Sequence, residues 1–336
     1  PEEIKGTFSF RRFGLETSEI YCEIRGSGSY YKTTAIRQSN KEDVRFASER
    51  EEENEADHIT ETVREISSAR HLYNIRYEEE HRNEASAAPS SDRPVIYQLT
   101  EDIDWQQMHR DGYIYNNKAA EGTICQKAAS ENSGVCTLTV NGASGSRTEE
   151  RALFPTISAL RSNTVLTGLK EGCTGHEDCY RISGITVREA EAEGSQGVSA
   201  EVYAGLIGLN AGTITDLTLD DIYVEGQKHA GAFCGQNSGT LAYLTVDSTP
   251  ERPSAVVGVQ NVGGITGSQV TESMTASDTA VLSHLVSRAD VAGRFYVGGI
   301  VGELSAQAGT ILVEDCASYG QTGVTRDRII VQGSTK

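Results

Sequence analysis

From residue 202 onward the chain repeats a glycine-bracketed apolar unit, and this constrains the fold more than any other feature. The units are Ala204-Gly205-Leu206-Ile207-Gly208, Gly231-Ala232-Phe233-Cys234-Gly235, Gly263-Gly264-Ile265-Thr266-Gly267 and Gly298-Gly299-Ile300-Val301-Gly302. Their closing glycines are 27, 32 and 35 residues apart. Three units share a second half: Gly212-Thr213-Ile214 leads to Leu217 and Leu219, Gly239-Thr240-Leu241 to Leu244 and Val246, and Gly309-Thr310-Ile311 to Val313 and Cys316. One Gly-X-X-Gly is an ordinary turn, but four in tandem describe an architecture. Each unit supplies two strands too short to bury their own inward side chains, so stability requires stacking one unit on the next. Inward Ile, Leu and Val then form ladders at a spacing of about 4.8 Å. Glycine is expected where the chain turns sharply or adopts positive φ. Apolar spacings of two and three argue against a leucine-rich or helical solenoid. The variable length falls at residues 247–259 and 269–282, which places extra loop on one side and marks a second candidate binding region. The third unit lacks the Gly-Thr-Ile half, so an irregular turn is expected there.

Upstream of the repeats the pattern changes several times. Residues 1–45 read as a small antiparallel meander or sandwich fragment, with strands over 7–13, 19–25 and 30–37 and a Gly26-Ser27-Gly28-Ser29 turn. Residues 46–61 read as an acidic linker, within a charge-dense stretch containing Glu51, Glu52, Glu53 and Glu55. A short strand and then a helix are expected over 62–77, with Ser67 or Ser68 as N-cap because its hydroxyl can accept a first-turn N–H; a continuous helix from Ile59, with Val63, Ile66, Tyr73 and Tyr77 on one stripe, is the competing reading. Leu72, Tyr73, Ile75 and Arg76 supply the helical spacing. Residues 95–105 alternate as a strand entering a turn, and 106–150 lose periodicity and read as a long insertion. The solenoid is expected to span 62–336.

These motifs resemble the GLUG repeat, a glycine-rich motif of bacterial surface proteins. The likeness is carried by the run from Val202 to Leu217 and by Val297-Gly298-Gly299-Ile300-Val301-Gly302. It extends to Ala69-Arg70-His71-Leu72-Tyr73-Asn74-Ile75-Arg76, to Tyr97-Gln98-Leu99-Thr100-Glu101-Asp102-Ile103-Asp104, to Phe154-Pro155-Thr156-Ile157 and to Tyr180-Arg181-Ile182-Ser183-Gly184-Ile185-Thr186-Val187. The resemblance implies an all-β chain, a right-handed parallel β-helix whose helix caps the open end of the first turn. It also implies adhesin-like company, including non-catalytic regions of immunoglobulin-A protease-like proteins.

Composition narrows the partners. With 48 acidic against 30 basic residues the formal charge is -18, so the surface repels phosphate backbones and anionic headgroups over a Debye length. Nucleic acid is not an expected partner, and no apolar run reaches the roughly 18 residues of a membrane span. The chain opens without a leader and closes without a sorting signal, which suits a mature or excised piece of something longer, expected to be monomeric and secreted or surface-attached. The 34 glycines with only 6 prolines and 2 methionines fit a turn-rich all-β protein. Seven cysteines cannot all pair internally. Cys173 with Cys179 and Cys125 with Cys136 are candidate local bridges, and Cys234 reads as a buried small hydrophobe.

No signature of catalysis stands out. Asp102 with Asp104, and Asp216 with Asp220 and Asp221, are candidate carboxylate groups for a polysaccharide lyase or hydrolase, the alternative reading. Acidic residues at strand ends are the simpler explanation. Cys173, His176 and Cys179 offer three candidate metal ligands at three-residue spacing, yet a closed zinc site needs a fourth, and neither metal nor cofactor is expected. Trp105, Tyr113 and Tyr115 are the candidate binding aromatics, with burial against the solenoid as the equal alternative. The expected role is non-catalytic binding of a host or matrix protein or glycan, immunoglobulin included, with a passive stalk as the plainest option.

Overall fold

A computed structural model describes residues 22–24, 31–33, 49–53, 60–81, 93–107, 113–115, 125–127, 135–142, 145–172, 176, 178–188, 203–271 and 279–324. The fold is mostly strand, the strands lie largely in parallel sheets, and among the described residues one α-helix occurs, Ala69–His81. The all-β expectation is met at that level.

Four sheets recur along the chain. The longest has eleven strands, and its main path runs Glu49–Glu53, Thr60–Ile66, Val95–Leu99, Thr164–Thr167, Thr213–Asp220, Thr240–Val246, Thr279–Ser287 and Thr310–Glu314. After Thr213–Asp220 the chain enters a second sheet at Tyr223–Gly226, a third at His229–Gly231 and a fourth at Cys234–Asn237, and returns to the first at Thr240–Val246. The next circuit visits the same sheets at Ala255–Gly258, Gln260–Gly263 and Thr266–Val270, each strand parallel to its predecessor. The third unit, expected to be irregular, keeps this register: Thr279–Ser287 aligns Leu282 with Leu241 and Leu285 with Leu244.

The spacing of three and then two has a structural cause. In a strand of period two, Ile214 and Leu217 would face opposite sides. Asp216 between them adopts φ 53°, which shifts the phase and sends Ile214, Leu217 and Leu219 all into the core. Tyr243 and His284 repeat that left-handed conformation at the equivalent positions.

The Gly-X-X-Gly glycines meet one half of the expectation, the sharp turn, and not the other, positive φ. None of them has positive φ; among the described glycines that conformation belongs to Gly172, Gly184 and Gly309. They permit backbones to approach: a Cβ on Gly231 would lie 2.3 Å from Cys234 O, and one on Gly267 2.6 Å from Ala230 N. The sharp corner between the third and fourth sheets therefore depends on the missing side chain.

Apolar columns fill the interior, with Tyr97, Leu166, Ile214, Leu241 and Leu282 stacked in register. Beside them runs a buried amide ladder. Asn210 Nδ2 donates to Asn237 Oδ1 at 2.6 Å, and Asn237 Nδ2 to Gln269 Oε1 at 2.6 Å. Each Asn Oδ1 also accepts the N–H of the glycine two residues on, Gly212 and Gly239. Buried amides are tolerated because each has a partner.

At the other end, Ser68 Oγ accepts the N–H of His71 at 3.2 Å, the expected N-cap. The helix packs on Ile157–Leu160. Near its C-terminus Glu79 accepts a hydrogen bond from the buried Tyr97 hydroxyl at 2.9 Å, and Arg161 Nη2 donates to Glu79 O at 3.0 Å.

Three expectations upstream need comment. Cys22–Ile24 pairs antiparallel with Tyr31–Thr33 as expected, and residues 7–13 lie outside the described set. Glu49–Glu53, read as linker, is an antiparallel edge strand on Thr60–Ile66; charged side chains suit an edge because they discourage further pairing. Part of the supposed insertion is a hairpin, Val135–Gly142 with Gly145–Ala152.

Candidate functional site

The outer face of the long sheet carries two ladders four residues apart, and both are built by the register just described. The first contains the left-handed positions Asp216, Tyr243, His284 and Asp315. His176 reaches it from the loop before Arg181–Ser183: its Nδ1 meets Asp216 Oδ1, and its ring stacks on Tyr243 at 3.4 Å between centroids. Tyr243 stacks on His284 at 4.4 Å, and His284 Nε2 lies 3.4 Å from Asp315 Oδ2. Carboxylate, imidazole, phenol, imidazole and carboxylate thus run across successive circuits.

The second ladder contains Asp220, Asp247, Arg288 and Tyr319, each one residue beyond a registered position of the sheet. Arg181 Nη1 joins Asp220 at 2.8 Å and Asp247 at 3.5 Å; Arg252 Nη1 joins Asp220 at 3.1 Å. Arg288 Nη1 is 3.9 Å from Asp247, and its guanidinium lies 5.6 Å over the Tyr319 ring. Asp221 is held by Arg151 at 2.5 Å, and burial pushes its carboxyl above the ordinary range against the pull of that arginine. Asp220 is buried, and among the described residues its Oδ1 accepts no hydrogen bond.

The expected site residues fare differently. Trp105 is fully buried, donates from Nε1 to Ala152 O at 3.2 Å and meets Phe154 edge to face at 4.8 Å. An indole with no exposed surface presents nothing to a ligand, so Trp105 is corrected from surface anchor to core. Its neighbour Gln106 ties Ala152 and Gly184 together through buried hydrogen bonds of 2.6–3.0 Å. Tyr113 and Tyr115 belong to a short strand paired with Cys125–Lys127, and their side chains lie outside what is described. Asp102 accepts the N–H of Arg181 and Asp104 that of Gln106, both at 2.9 Å, so each serves the backbone.

Among the described residues no group of three His, Cys, Asp or Glu side chains is arranged to hold a metal ion. Cys179 carries a free thiol 3.4 Å from Thr218 Oγ1. Cys173 lies outside the described residues, and of Cys125 and Cys136 only the strands are described. Cys234 is buried as expected, its thiol pushed up to about 12 by burial. No described helix is long and apolar enough to cross a membrane.

Sequence reasoning missed both ladders. Asp216 and Asp220 were visible, but Tyr243, His284, Arg288 and Tyr319 align with them only once the register is known. The molecule is thus an all-β protein of parallel sheets with a charged and aromatic outer face. No family model matches the chain, and no curated protein or solved structure matches it. The likeness to GLUG repeats therefore rests on the residues that carry it.

Proposed function

We propose that the chain is a non-catalytic binding module, secreted or attached to a bacterial cell surface, that recognises a host or matrix protein or glycan through the outer face of the long sheet. The sheets are the faces of a right-handed parallel β-helix, and the helix Ala69–His81 covers its first turn. Supporting the helical build is the fixed order in which successive strands revisit four sheets. The single observation that supports binding is the pair of outer ladders. Side chains rich in charge and rings, at strained left-handed positions in the first ladder, recur across circuits where small polar residues would satisfy the fold. The carboxylates on this face are engaged by Arg or His, which suits recognition better than acid–base chemistry.

The test is retention. Immobilised wild-type chain is exposed to host secretions and purified immunoglobulin and matrix proteins, alongside a variant carrying His284→Ala, Arg252→Ala and Arg288→Ala. Retention by the wild type that drops at least tenfold in the variant, with unfolding still cooperative, supports the reading. Equal retention by both, or none by either, overturns it.

A further inference from the structure

We infer that the second ladder is a saccharide subsite whose ligand is an uncharged, polyhydroxylated sugar chain laid along the column Asp220, Asp247, Arg288 and Tyr319. The inference rests on the binding-module reading and names the ligand class of that face.

Charge balance is the first argument. The exposed Arg181, Arg252 and Arg288 stand against Asp220, Asp221 and Asp247, and the buried Arg151 with Glu149 joins the same linked network as a balanced pair, so the cluster carries no net charge. On a chain of formal charge -18, a carboxylated or sulfated polymer gains little here and is repelled elsewhere. A cation would meet three guanidinium groups. Sugar hydroxyls, each both donor and acceptor, suit a surface that alternates fixed N–H donors with carboxylate acceptors.

Accessibility is the second. The Arg252 and Arg288 side chains are each 45% exposed and Asp247 29%, so donors and acceptors both face solvent. Asp220 is held underneath, and its Oδ1 has no partner among the described residues. A buried acceptor in that state is the kind of group that a ligand hydroxyl relieves when a neighbouring side chain moves aside. Arg181 and Arg252, the groups beside it, are the exposed members that can move.

The third argument is the platform. Tyr319 is 71% exposed, the most exposed of the large hydrophobic side chains on the described surface, and Arg288 stacks against its ring. An aromatic face fixed by a guanidinium offers an apolar plane for the C–H side of a pyranose while the neighbouring carboxylate and guanidinium take its hydroxyls. Successive ladder positions are about 4.8 Å apart, so the column spans about 14 Å, room for several sugar units in a row.

The experiment uses the full chain on a panel of neutral oligosaccharides (maltohexaose, cellohexaose, mannohexaose and chitohexaose), with hyaluronan and polygalacturonate oligomers as acidic members. A mannose-bearing glycoprotein, before and after enzymatic deglycosylation, distinguishes free from protein-borne sugar. The expected result is binding of at least one neutral oligomer, no binding of the acidic ones, and about tenfold weaker binding in Tyr319→Ala. Asp247→Asn is expected to weaken it by a similar factor; both sites are solvent-exposed, and far-UV circular dichroism checks the fold. Preference for the acidic members, an unchanged affinity in both variants, or a blank panel overturns the inference. If the panel is blank while host secretions are still retained, the saccharide subsite falls and the binding-module reading survives.

Discussion

Tyr97, Leu166, Ile214, Leu241, Leu282 and Val313 form one column through the long sheet. The first five are sealed from water, and Val313 is 46% exposed. The column Leu160, Asn210, Asn237, Gln269 and Leu304 ends in the same way, with the first four buried and Leu304 56% exposed. Chemistry does not separate the two regions, since the exposed members are as apolar as the buried ones. Position does. The first circuit lies against the helix Ala69–His81, whereas among the described residues nothing lies over the strands Val301–Ser305 and Thr310–Glu314. Burial in this protein is conferred by the next circuit, not by a strand's own partners.

Truncating one column in its buried and in its exposed region separates the two. Leu241→Ala is expected to cost about 3–5 kcal/mol, as transfer and cavity terms combine in a closed site; Val313→Ala is expected to cost less than about 1 kcal/mol. Urea unfolding of the two variants measures the gap, and equal losses would mean that the last circuit is as buried as the middle. Next comes the amide ladder. Asn237→Ala leaves Asn210 Nδ2 and Gln269 Oε1 without the partners they have now, and is expected to cost about 2–4 kcal/mol at roughly 1–3 kcal/mol per orphaned group.

Beside the helix, Tyr97→Phe is expected to cost about 1–2 kcal/mol by removing the hydrogen bond to Glu79. It also removes a pH dependence. Burial, with Glu79 beside it, holds the Tyr97 phenol well above its ordinary value of 10.0. The unfolded phenol then ionises first, so its contribution is intact below pH 10 and is lost as pH rises beyond it. Stability curves from pH 8 to 11 should slope less in the variant. The smallest effect is chemical: Cys234, buried and pushed up to about 12, is expected to resist iodoacetamide until unfolding, while Cys179 and Cys316 react in the folded chain.

Much of this was legible in the repeats. Ile214, Leu217 and Leu219 announced short stacked strands rather than a helical period, and Ser68 with Leu72 and Ile75 announced a capped helix. The glycines were legible in part: a sharp turn was expected and is found, but sequence shows a missing Cβ without showing which backbone approaches it. Asn210 and Asn237 stand at matching places two residues before Gly-Thr, a signal that was present and unused. The outer ladders were not legible, because Tyr243 and His284 are separated by 41 positions in sequence and meet only through register. Trp105 shows the converse error: an isolated aromatic beside aperiodic sequence reads as exposed, yet Ala152, at the end of the strand Gly145–Ala152, and Phe154 meet it in the core.

Spin-label distances report parallel stacking in fixed register without reference to any ligand. Val165, Thr213, Thr240, Val281 and Leu312 occupy one outward column. With the native cysteines replaced, labels at Val165 and Val281 should sit about 14 Å apart and labels at Val165 and Leu312 about 19 Å, three and four ladder steps of about 4.8 Å, each broadened by the label linkers. Distances that rise by one step per circuit are the predicted result; a Val165 to Leu312 distance beyond about 35 Å, or no longer than that from Val165 to Thr213, would contradict the stacked arrangement.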